Sequence, residues 1–160
     1  MRRHRHSLIP WLVLATLSSG CGFYVPSHQR TEDYTPVFAA ASGGDLVTLK
    51  KDVDADPRLV KATEWDNATL LHDAVQQNHQ EAAAYLLDKG ADINAVTQDG
   101  LTPLHMAAQN GNIAIITLLL ERGAKINPVD AKGWTPLDRA SNWSHPDAVE
   151  FLRKHGAKGS

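Results

Sequence analysis

Cysteine is almost missing from this chain of 160 residues: Cys21 stands alone. No intrachain disulfide can form, so stability has to come from packing. Long apolar runs are missing as well. The run from Leu8 to Leu17 holds ten residues, about 15 Å as a helix, against a bilayer core of about 30 Å. Acid is absent before Glu32, while Arg2, Arg3 and Arg5 crowd the start. Neither H-x-x-x-H nor C-x-x-C occurs, which removes the usual zinc spacings. There is no G-x-S-x-G and no glycine-rich phosphate loop, which removes the commonest nucleophile turn and phosphate cradle.

A basic start, a short apolar run and the small residues Ser18, Ser19 and Gly20 before Cys21 have the layout of a secretory signal peptide. The segment resembles a bacterial lipoprotein signal with its lipobox. That resemblance implies cleavage before Cys21, diacylation of its thiol and acylation of the new amino terminus; two or more acyl chains anchor stably where one is marginal. Ordinary secretion with a free Cys21 is the plainer alternative. Gly22 follows the cysteine, which resembles the signal sorted by default to the outer membrane of the cell envelope, facing the periplasm. Residues 1–20 are therefore expected to be the signal and residues 21–34 the lipidated cysteine with a flexible tether. Losing the three arginines takes the net charge from −2 to −5. No basic patch remains, which argues against nucleic acid or anionic headgroups as partners.

From Thr35 onward the chain repeats itself. Thr35-Pro36-Val37-Phe38, Thr69-Leu70-Leu71-His72, Thr102-Pro103-Leu104-His105 and Thr135-Pro136-Leu137-Asp138 are spaced by 34, 33 and 33 residues. Gly90-Ala91, Gly123-Ala124 and Gly156-Ala157 repeat at 33. This period with T-P-L-H-x-A identifies residues 35–160 as resembling ankyrin repeats, which implies an all-α solenoid of four repeats: paired helices joined by β-hairpin-like loops. Their approximate bounds are 35–65, 66–98, 99–131 and 132–160.

Local chemistry suits that reading. Thr69, Thr102 and Thr135 suit N-caps, whose hydroxyls accept an orphan N–H. Pro103 and Pro136 suit the first helical position, where a missing N–H does no harm. Gly90, Gly123 and Gly156 fit the left-handed residue that stops the second helix. Ala74, Ala107 and Ala140 are small where helices press close. Four repeats exceed the three or so needed for a continuous core, and the domain is expected to fold alone as a monomer.

His72 and His105 share a motif position, so stacking should hold them about 8–10 Å apart, too far for one zinc with bonds of about 2.0–2.1 Å. The resemblance implies instead that they hydrogen-bond loop backbone. Ser144-His145-Pro146-Asp147 contains triad letters, but adjacency in sequence is not triad geometry; a capping turn is expected. No catalytic residue, metal or cofactor is expected, and the chain reads as a non-enzyme.

Repeat solenoids use their concave side, which in this family is built from hairpin tips and first helices. By position, that surface comprises Trp65 and Asp66, then Gln98 and Asp99, then Lys132 at the tips. Leu101 and Trp134 precede the capping threonines, and the first helices add Asp73, Gln76, Met106, Gln109, Asn110, Arg139 and Trp143. Tryptophan, methionine and leucine here would make an apolar band with a polar rim, as at protein interfaces. The expected function is a membrane-anchored periplasmic scaffold that binds a protein partner on its concave face. The alternatives are an immunity protein against an envelope-acting toxin and, from another class, an enzyme or a carrier of a metal or small ligand.

Overall fold

The computed structural model describes residues 31–160. Eight α-helices follow in order: α1 (Thr31–Gly43), α2 (Leu46–Ala55), α3 (Leu70–Gln76), α4 (Gln80–Asp88), α5 (Pro103–Gln109), α6 (Ile113–Glu121), α7 (Pro136–Asn142) and α8 (Pro146–Lys154). A single 3-10 stretch, Pro57–Lys61, lies between α2 and α3. Consecutive helices pair, the pairs stack side by side, and the all-α solenoid expected from the period is the observed architecture.

Helices of seven to nine residues do not persist alone, so each pair is held at its ends and along its packed face. Thr69, Thr102 and Thr135 are N-caps, each accepting the backbone N–H three residues on. Gly90, Gly123 and Gly156 follow the C-caps of α4, α6 and α8 at φ of 88°, 89° and 90°, as a left-handed helix stop requires. The first pair differs. There the Thr–Pro element lies inside a helix rather than at its start, because α1 begins at Thr31 and contains Pro36. Its first turn thus occupies residues 31–34, which the sequence pattern assigned to the tether. Asp45 caps α2, and Asp56 caps the 3-10 stretch that replaces a glycine stop.

One core runs the length of the stack. Val37, Phe38 and Ala41 of α1, Leu71 and Ala74 of α3, Leu104 and Ala107 of α5, and Leu137 and Ala140 of α7 meet Leu49, Leu86, Ile115, Ile116, Leu119 and Leu152 of the second helices. Each fully buried leucine or isoleucine stabilises by about 1.5–3 kcal/mol. Alanine at 74, 107 and 140, with no exposed surface, lets neighbouring first helices approach. These helices α1, α3, α5 and α7 form the tighter row, while α2, α4, α6 and α8 touch more sparsely. The hairpins run beside the tighter row, tied to it through His72 and His105.

Concave face as the candidate functional site

Each hairpin is closed by one backbone bond of the same kind: Glu64 N to Ala68 O at 2.8 Å, Thr97 N to Leu101 O at 3.0 Å and Asp130 N to Trp134 O at 3.0 Å. Neighbouring tips are linked as well. The Gln98 N–H donates to the Asp66 carbonyl at 2.6 Å, and the Ala131 N–H to the Asp99 carbonyl at 2.9 Å. The tips therefore form a continuous ladder along the stack.

Histidine fixes that ladder to the helices. His72 Nδ1 accepts the Thr69 N–H at 3.1 Å, and Nε2 lies 3.0 Å from the Leu101 carbonyl of the next hairpin. His105 repeats the pattern with Thr102 and with Trp134. A nitrogen facing an N–H donor must be the unprotonated one, so the proton sits on Nε2 and goes to the carbonyl. Burial pushes both imidazoles below their ordinary value of 6.5, against the opposing pull of those carbonyls. The backbone role expected for these histidines is the one they have. In the last repeat Asp138 takes over, its Oδ2 accepting the N–H groups of Thr135 and Ser160.

The residues expected to face a partner fall into three groups. Trp65 is free, 80% exposed at its tip; Gln76, Gln98, Asp99 and Lys132 are exposed too. Asp66, Asp73, Leu101, Met106 and Gln109 are half-buried. Asn110 is half-buried and serves the fold, its Nδ2 donating to the Gln76 carbonyl of the preceding repeat at 2.8 Å.

Arg139 also belongs to the fold, contrary to its expected role as a partner-facing charge. It is 6% exposed; its Nε donates to Asp130 Oδ2 at 2.9 Å and its Nη1 to Gln109 Oε1 at 3.0 Å. The Trp134 and Trp143 rings each lie 5.3 Å from its guanidinium carbon and meet edge to face at 6.3 Å. Asp130 Oδ1 meanwhile accepts the Lys132 and Trp134 N–H groups at 2.8 and 3.0 Å. Burial raises the Asp130 carboxyl, but Arg139 and these N–H groups together hold it below its usual value. Trp134 is therefore half-buried, and Trp143 keeps 40% exposure.

The same pair of positions reads differently in each repeat. Asp130 and Arg139 form an ion pair; Thr97 and Met106 are neutral; Glu64 and Asp73 are both acids. Burial raises the Asp73 carboxyl to about 7, helped by the charges of Glu64 and Asp66. Burial and Asp66 raise Glu64 too. This contrast needed the nine-residue spacing 64/73 and 130/139 to be compared, a signal present in the sequence.

Among the described residues no group of three or more His, Cys, Asp or Glu side chains is disposed to hold a metal ion, and no helix is long and apolar enough to cross a membrane. Cys21 lies outside the described residues.

Residues 4–97 and 90–160 match the family model described as Ankyrin repeats (3 copies). A curated relative, Palmitoyltransferase akr1 of Schizosaccharomyces pombe, is 38% identical over 60 residues, which is 38% of this chain. The match spans 9% of that relative's length.

Proposed function

Because the chain belongs to the ankyrin-repeat family, we propose that it is a non-enzymatic scaffold, held to the periplasmic face of a bacterial envelope membrane by acylated Cys21, that binds a protein partner on its concave face. Ankyrin repeats are protein-interaction scaffolds; the anchor, the compartment and the docking residues are the further content of this reading. The observation that carries it is Trp65. A tryptophan 80% exposed at a hairpin tip contributes little to the stack, and such side chains anchor interfaces. The palmitoyl transfer in the relative's name is not carried over, since the likeness reaches so little of that protein.

Residues 22–160, prepared without the lipid and immobilised, should retain one protein from periplasmic or secreted extracts, and Trp65→Ala should release it. Trp65 is the better control than Trp134, which supports Arg139. Equal retention by both forms, or retention of nothing, would count against the concave face. A toxin as the retained protein would specify immunity.

A further inference from the structure

The docking surface around Trp65 favours one kind of partner. In the last repeat an arginine stands at position 139, bonded to Asp130 and covered by Trp134. In the second repeat the matching helix position holds Asp73 and the matching hairpin position Glu64, so the anionic half of that arrangement is doubled and its cation is missing. Among the described residues no cation pairs with either acid. The counterpart of Trp134 is Ala68, a side chain too small to cover Asp73 as the indole covers Arg139. Asp66 adds a third carboxylate, one oxygen of which accepts the Ala68 N–H at 3.0 Å, and Trp65, between Glu64 and Asp66 in the chain, has its ring exposed. Burial, helped by the Glu64 and Asp66 charges, already keeps the proton on Asp73 up to about pH 7.

We propose that this face docks an arginine-bearing segment of the partner protein, whose guanidinium enters between Glu64 and Asp73 against the Trp65 ring. Arginine fits better than lysine because its planar fork pairs with carboxylates and stacks on aromatic faces. The guanidinium supplies from outside what Arg139 supplies from within. The proposal rests on the scaffold reading and names the chemistry of its partner.

The test uses the full ¹⁵N-labelled chain in zwitterionic detergent and three probes: acetyl-Ala-Arg-Ala-Arg-Ala-amide, its lysine version and its glutamine version. The arginine peptide should move the amide signals of residues 64–66 and 73 and the Trp65 indole. It should also draw the Asp73 midpoint from about 7 toward the ordinary carboxylate range. Lysine should bind more weakly and glutamine not at all. Asp73→Asn and Glu64→Gln should each weaken binding about tenfold, and Trp65→Ala about threefold to tenfold, with the remaining signals unmoved as evidence of an intact fold. No response would overturn the proposal. So would a response spread equally over Asp88, Asp92 and Glu121, or one unchanged by Asp73→Asn. If the peptide fails while extracts still yield a protein that Trp65→Ala releases, the scaffold reading stands and the arginine preference falls. If the peptide binds as stated and extracts yield nothing, the arginine site stands and the scaffold reading falls.

Discussion

His105 joins two repeats through one ring: Nδ1 accepts the Thr102 N–H of its own cap at 3.1 Å, and Nε2 gives its proton to the Trp134 carbonyl 29 residues on at 3.0 Å. Thr102 is buried and Trp134 half-buried, so His105→Ala strands the Thr102 N–H, leaves the Trp134 carbonyl with the Asp130 N–H alone, and opens a hole. A loss of about 2–4 kcal/mol is expected, read from urea denaturation.

Protons act through the same rings. The unfolded imidazoles protonate near 6.5, whereas His72 and His105 stay neutral to lower pH in the fold. Their contribution is therefore present above pH 6.5 and lost as pH falls below it. Urea midpoints between pH 7.5 and 5 should fall less in the already weakened His105→Ala than in the natural chain.

Asp73 has the opposite sign. Its folded carboxyl holds a proton up to about pH 7 against an ordinary 3.8, so its contribution is complete below 3.8 and lost as pH rises through about 7. Asp73→Asn should remove that slope and raise the melting temperature at pH 8 by about 2–5 °C, measured by calorimetry.

Removing one partner of the buried ion pair leaves an uncompensated charge. Asp130→Asn and Arg139→Met should each destabilise by about 3–5 kcal/mol, since Asp130 is 5% and Arg139 6% exposed. The double variant should recover part of this loss, which a double-mutant cycle in urea would measure.

Gly111 and Gly123 both have left-handed backbone, at φ of 67° and 89°. A Cβ on Gly123 meets nothing within 4 Å, whereas one on Gly111 falls 2.5 Å from His145 Nδ1. Gly111→Ala should therefore cost about 1–3 kcal/mol more than Gly123→Ala, because the His145 ring must also move.

The anchor is tested by partition between detergent and water. The full chain expressed in bacteria should enter the detergent phase with a mass raised by its acyl chains, and Cys21→Ser should remain unmodified. An unmodified Cys21 in the natural chain would leave ordinary secretion as the route.

The fold was legible because each repeat spells its own ends. Threonine, proline and glycine act at single positions where helix geometry admits few side chains, so a period of 33 in Thr102 and Thr135, and in Gly90 and Gly123, translates directly into helix pairs. The face was less legible, since a motif position says where a side chain starts and not what it meets. Arg139 occupies a concave position, yet the hairpin places Asp130 against it and the two indoles cover it. Asn110 likewise starts on that face and turns back to the Gln76 carbonyl.

The imidazole links between repeats run in both directions. His72 reaches forward to the second hairpin and His105 to the third, while His79 reaches back to Ser42 of α1; the last repeat is fastened by Asp138 to Ser160 and by the Thr135 hydroxyl to the Lys158 carbonyl. Peeling the stack from its C-terminal side must break the His105 link and then the His72 link; peeling from the other side must break the bond between His79 Nε2 and the Ser42 carbonyl of α1 at 2.9 Å. Each seam between neighbouring repeats is thus fastened by one imidazole. A pulling force would meet it as a strap with a buckle at every seam rather than as a zipper with one free end.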